Sequence, residues 1–295
     1  MATSRHHAGA EFEQILMTLA PEVARAEHQP SSGLEFNLAV LERERREFHL
    51  ELLEAAHVQR RLSGPRQMSR GMFDIAGEVF PARYLAGDFV SAMDVGERTW
   101  IFLGDIAGKG VAAAMWFTHL VSLIRCHAAA REATAAVMRA VNRELCALRP
   151  SPPITSMVLL RLDWHANEVE YCNAGHPPAL LLRHDSTLAR LETGGPVLGV
   201  IAGAAFDSAR IAMRPGDMLL GCSDGVLECR NRSDEEFGEQ RFRAKAGVHA
   251  GEPAHAVLFS ILGGLQDFAV GMPRQDDVSL LVIRHTGAGL PHSLG

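Results

Sequence analysis

Two neighbouring helical stretches, Val111 to Ala130 and Glu132 to Leu148, split the strand-like runs of this chain into two blocks. Before them stand Phe73 to Phe80, Asp88 to Met93 and Thr99 to Leu103. After them come Thr155 to Leu162, Glu168 to Asn173, Ala179 to Arg183, Ala209 to Met213 and Met218 to Cys222. A further helical stretch, Pro253 to Phe268, and a last strand, Val278 to Arg284, close the series. A regular strand-helix-strand alternation would build a parallel, doubly wound sheet. Strands grouped in blocks predict instead an α+β sandwich, here over residues 70–286. With 47% hydrophobic residues in a chain of 295, apolar material for such a core is ample.

The junction between the first block and the helices reads GDIAGKG, Gly104 to Gly110. It places Asp105 where a strand gives way to a helix, among glycines that let the backbone turn sharply and approach a ligand closely. A phosphate-binding P-loop needs four residues between its glycines and Ser or Thr after the Lys. Here three intervene and Gly110 follows Lys109, so that motif is excluded. In isolation the stretch reads equally as a capped strand-to-helix turn or as a ligand site.

Three more acidic turns occupy strand ends: Asp88 in AGDF, Asp224 in CSDGV, and Asp276 with Asp277 in RQDDVSLLVI. Each alone reads as a turn or cap residue. If the strand ends converge, the carboxylates repel one another, and cations are needed to neutralise them. Oxygen donors without His or Cys select hard ions, Mg²⁺ or Mn²⁺.

The other classes of function find little support. A net charge of -6 and a pI near 6.2 exclude nucleic-acid binding through a general basic surface. The five cysteines, Cys126, Cys146, Cys172, Cys222 and Cys229, include no CxxC pair and read as buried free thiols in a reducing compartment. No secretory signal opens the sequence, and the most apolar run, Val111 to Ile124, falls short of the ~20 residues of a membrane helix. A cytoplasmic protein without membrane insertion is expected.

Ahead of the sandwich, residues 1–33 contain a short helical pattern around Phe12, Ile15, Leu16 and Leu19, ended by Pro21, and are expected to be a loosely ordered tail. From Leu34 the spacing alternates four and three through Leu38, Leu41, Arg45, Phe48, Leu52, Ala55, Gln59 and Leu62. A helix of that length spans about 40 Å, and its apolar seam is best buried against a partner helix. A coiled-coil linker over 34–65, stopped by Gly64 and Pro65, and a homodimer through 34–62 are therefore expected. The alternative is an amphipathic helix packed back on its own domain. Residues 287–295 read as a flexible tail.

The acidic turns and the words around them occur in a recognisable order. PARYLAGD (81–88), GDIAGKG (104–110), NAGHPP (173–178), PVLGV (196–200), GDMLLGCSDGVLECRN (216–231), FG (237–238) and DDVSLLVI (276–283) together resemble the metal-dependent serine/threonine protein phosphatases of type 2C, in their bacterial SpoIIE/RsbU-like branch. The resemblance spans residues 70 to 285. It implies a central β-sandwich flanked by helices with two metal ions, Mn²⁺ or Mg²⁺, at one end.

In that arrangement Asp105 bridges the ions and the Ile106 main-chain carbonyl adds a ligand. Asp224 and Asp276 complete the ligand set of the second ion, with Asp277 as the alternative to Asp276, and Asp88 acts through a water or on a third ion. The paired ions clamp the phosphoryl oxygens and activate a water, so no protein nucleophile is required.

Arg83, five residues before Asp88, matches a phosphate-gripping arginine of eukaryotic members and otherwise reads as a surface residue. Ala107 stands where those members carry a proton-donating histidine. His176 is either a substitute acid or a structural histidine beside a Pro turn. Lys109 fixes its turn or faces solvent, and Ala86 replaces a usual glycine. The resemblance further implies dephosphorylation of a STAS-type anti-anti-sigma protein in a partner-switching pathway. An inactive phosphatase-fold scaffold that binds a signalling partner is the competing expectation.

Overall fold

The computed structural model describes residues 31–130, 133–148, 153–249 and 251–287. The helical pattern expected around Phe12 to Leu19, and most of the C-terminal tail, lie outside these residues. The chain divides into two units, residues 1–51 and 52–295. In the first, the described residues belong to helix α1, Ser31–Leu62, whose C-terminal turns belong to the second unit. Leu34, Leu38, Leu41 and Phe48 of the predicted seam are all exposed.

The second unit holds two sheets. One runs in the order β1 (Gln67–Arg70), β2 (Phe73–Phe80), β12 (Val278–His285), β11 (Met218–Cys222), β7 (Ala179–Leu182), β8 (Leu188–Leu191). The other runs β10 (Ala209–Ala212), β6 (Glu168–Ala174), β5 (Thr155–Asp163), β4 (Arg98–Ile106), β3 (Asp88–Val95), with the two-residue β9 (Gly194–Gly195) beside β6. All pairings are antiparallel except β6 with β9.

Strand β4 explains the layering. Ile101 and Leu103 point into a core shared with Ile75, Leu219 and Leu281 of the facing sheet. Their neighbours Trp100 and Phe102 point the other way, into a core with Phe117, Leu120 and Ile124 of α2, Val111–Ala130, and Val137 and Val141 of α3, Thr134–Ala147. A strand covered on both faces reads as a continuous apolar run, as β4 does. The opposite outer layer is α5, Gly238–Val248, and α6, Ala254–Phe268, over β2, β11 and β12. Four layers, helix-sheet-sheet-helix, result. Helix α2 is long and apolar enough to cross a membrane, yet half of its most apolar window is buried in this core.

The expected sandwich is present, with differences of detail. Helix α3 starts at Thr134, where the Glu170 carboxylate accepts from the Thr134 main-chain N–H at 2.7 Å. Strands β1, β8 and β9 and helix α5, together with the single turn α4 (Asp224–Leu227), were not expected from the sequence. Each of the strands is four residues or shorter, too brief for its alternation to register. The thiols are free but not uniformly buried: Cys172 and Cys222 are, whereas Cys126 is exposed on α2.

Candidate metal centre

Strand pairing brings the acidic turns to one end of the sandwich. Asp88 opens β3 and lies directly opposite Asp105 near the end of β4. Asp224 follows β11, and Asp276 precedes β12, which pairs with β11. Gly225 packs so closely on the Asp277 carbonyl that any side chain there would collide with it, and this contact draws the Asp224 turn against the Asp276 turn.

Three oxygens converge beside Gly87. The position a Cβ would take there lies 2.9 Å from the Gly108 carbonyl, 3.0 Å from Asp105 Oδ1 and 3.0 Å from the Ile106 carbonyl. Only glycine leaves that space free. Gly108 reaches its own geometry with φ of +117°, a conformation closed to most residues. Asp105 and the Ile106 carbonyl thus face a common cradle.

The electrostatics fit a cation. Burial, followed by repulsion from Asp224, Asp276 and Asp277, pushes the Asp105 carboxyl up to about 6, with Lys109 opposing. Burial pushes Asp88 up to about 7, aided by the charges of Asp105 and Asp277 and opposed by hydrogen bonds from Ser223 and Ser279. Carboxylates held this far above their ordinary range favour a proton or a metal in their midst.

Among the described residues, no three His, Cys, Asp or Glu side chains are already closed around one point. Two of the carboxylates have protein partners. Lys109 Nζ sits 2.8 Å from Asp276 Oδ1, and Ser279 Oγ donates to Asp88 Oδ2 at 2.9 Å. The donors are hard oxygens, including main-chain carbonyls, and suit Mg²⁺ or Mn²⁺, which also retain water ligands. The residues present fit such ions.

The two adjacent carboxylates differ sharply. Asp277 is buried and accepts from Ala82 N at 2.7 Å and Gly87 N at 2.8 Å, one bond to each oxygen, so it clamps the 81–88 loop. Asp276 is exposed and faces Lys109. The hydrogen bond to Asp276 raises the Lys109 pKa, with exposed Arg83 near enough to oppose it slightly, so two cations rim the acidic end. Ala107 is exposed and its N–H donates to the Ile154 carbonyl.

His176 lies beneath the site. It is 4% exposed, with Nδ1 2.9 Å from Ser156 Oγ, and Ser156 pairs with Asp105 across β4 and β5. Burial holds its imidazole at about 4, so it is neutral. That geometry is a brace.

Sequence reasoning missed Ser223, Ser279 and Gln59. Ser223 Oγ accepts from Ser279 N at 3.1 Å, linking β11 to β12, and Ser279 reaches across the sandwich to Asp88. Both serines stand within two residues of an acidic turn, a signal too common to single them out. Gln59, a polar break in the predicted seam, grips the Ala86 main chain instead: Nε2 donates to Ala86 O at 2.8 Å and Oε1 accepts from Ala86 N at 3.3 Å.

Comparison with known proteins agrees with this architecture. The profile of the family described as Stage II sporulation protein E (SpoIIE) matches residues 95–286. The phosphoserine phosphatase RsbU of Bacillus subtilis is 25% identical over 265 residues, covering 89% of this chain and 75% of its own. Protein IcfG of Synechocystis is 30% identical over 189 residues, covering 55% of this chain, which spans only 30% of IcfG. Among solved structures, the SiaA-PP2C domain of Pseudomonas aeruginosa superposes with a TM-score of 0.70 at 17% identity, over 82% of this chain and 98% of that one.

Proposed function

The chain belongs to the SpoIIE family of type 2C phosphatases, and from that premise we propose that it is a metal-dependent serine/threonine protein phosphatase, hydrolysing phosphoserine or phosphothreonine on a partner protein. The observation that supports this reading is the placing of Asp88 opposite Asp105, whose Oδ1 lies beside Gly87, with the turns of Asp224 and Asp276 near enough for their charges to act on Asp105. A scaffold without catalysis has no use for carboxylates whose mutual repulsion burdens the fold.

Asp105 and the Ile106 carbonyl would hold a first ion, Asp105 with Asp224 and Asp276 would hold a second, and Asp88 would act through water or on a third. Bound Mn²⁺ or Mg²⁺ would neutralise phosphoryl charge and activate water for in-line attack. Asp277 keeps the 81–88 loop, and with it Arg83, beside the acidic end. The Arg83 guanidinium grips two phosphoryl oxygens and orients the substrate. No titratable side chain stands at Ala107, so the leaving serine alkoxide takes its proton from solvent at that open turn. His176 stays neutral and braces Ser156 rather than transferring a proton.

The relative RsbU is a phosphoserine phosphatase by name, and a STAS-type anti-anti-sigma protein is the substrate class we assign. The exposed seam of α1 supports a homodimer through residues 34–62.

The test is hydrolysis of p-nitrophenyl phosphate by the purified chain. Activity appears with Mn²⁺ or Mg²⁺, disappears with a chelator and is lost in Asp105→Asn. Undiminished activity in that variant contradicts the mechanism.

A further inference from the structure

A cavity of about 450 Å³ opens next to the metal centre, and Asp224 and Asp276 form part of its wall. One side is the chain from Asp224 through Glu228 to Arg230, and the other is the end of α6 with the segment that follows it, through Met272 and Arg274. Leu265, Ala269 and Pro273 make its lining partly apolar, and Val270, also on the wall, is 62% exposed.

The charges along the cleft are uneven. Arg230 is neutralised by Asp234 at 3.1 Å and Glu236 at 2.5 Å. Arg274 and Arg232 form no ion pair among the described residues. Arg274 donates only a 3.3 Å bond to the Phe80 carbonyl and acts electrostatically on Cys229, itself on the wall. The Arg232 guanidinium lies against Gly271, where a side chain on residue 271 would collide with it. Glu228 contributes the opposing charge on the wall. The unneutralised Arg274 thus stands on the wall, with Arg232 packed against the wall residue Gly271, in a cleft whose other charged wall residues are Arg230 and the carboxylates Asp224, Glu228 and Asp276.

We propose that this cleft docks the polypeptide flanking the phosphorylated residue, with its lining taking an apolar side chain and Arg274 and Arg232 selecting an acidic one. The occupant follows from continuity and charge. A phosphoryl group at Asp224 and Asp276 has its own chain emerging at the cleft mouth, and an extended segment offers side chains to a groove at alternate positions. The proposal rests on the phosphatase reading above and adds to it a preference among substrates.

The test compares kcat/KM for two synthetic phosphoserine peptides of equal length, one with Asp and Leu beside the phosphoserine and the other with Lys and Leu. p-Nitrophenyl phosphate serves as the flank-free control on the wild type. The acidic peptide is expected to be preferred roughly tenfold, the worth of one charge-assisted contact. In Arg232→Ala/Arg274→Ala that ratio collapses toward one, whatever the absolute rate. A wild type that hydrolyses the control but does not distinguish the peptides overturns the docking cleft and leaves the phosphatase reading intact. So does a ratio that survives in the double variant. A wild type inactive on all three substrates overturns both.

Discussion

At the scale of single residues, the two aspartates before β12 carry the sharpest distinction. Asp277 spends both oxygens on main-chain N–H groups of the 81–88 loop, whereas Asp276 has only Lys109 and the following N–H. Asp277→Ala is expected to cost about 2–4 kcal/mol of stability, because two charge-assisted bonds go and two N–H groups lose their acceptor. Asp276→Asn leaves the melting temperature nearly unchanged and weakens divalent-ion binding. Denaturant unfolding and calorimetry on the two variants check the pair; reversed phenotypes would make Asp277 the ligand.

Asp105 yields a pH dependence. Unfolded, it titrates near 4; folded and metal-free, at about 6. Between those values the folded state holds more protons, so the stability contributed is full below about 4 and lost as pH rises through about 6. Metal-free Asp105→Asn should therefore melt about 2–4 °C above wild type at pH 7.5, with the gap closing as pH falls to 4. The acidic residues themselves were legible, since each stood at a strand end. Their serine supports were not, because a serine beside a turn is unremarkable until the strands are paired.

At the scale of elements, alternation and length decided what could be read. The long runs, β2 to β6 and β12, and helices α2, α3 and α6, carry enough residues for periodicity to show. Short edge strands owe their existence to neighbours: β8 forms because Leu188 to Leu191 finds β7 to pair with. Helix α1 shows the opposite lesson. Its heptad spacing was visible, but Gln59 within that seam serves the sandwich, gripping both main-chain groups of Ala86 two residues before Asp88. The end of α1 therefore meets the site through the 81–88 loop. Gln59→Ala is expected to raise amide hydrogen exchange across residues 82–88 by about tenfold, as two hydrogen bonds are lost. Unchanged protection there, with loss elsewhere, would dissociate α1 from the loop.

At the scale of the whole molecule, two sheets that share one core hold the four acidic turns at strand ends near enough for their charges to act on Asp105 or Asp88. This convergence was invisible in sequence and followed from pairing alone: β3 with β4, β11 with β12, and the Ser279 bridge between the sheets. Assembly is a separate question. Leu38 and Leu41 are exposed on α1, and the wild type is expected to scatter light as a dimer whereas Leu38→Asp/Leu41→Asp scatters as a monomer. A monomeric wild type would remove the coiled coil from the account. The central claim, that the acidic end is a divalent-metal centre organised by Asp105, is met most directly by calorimetric titration of Mn²⁺ into the wild type and Asp105→Asn. About two ions per wild-type chain are expected, with binding roughly tenfold weaker in the variant. Equal stoichiometry and affinity in both proteins would contradict it.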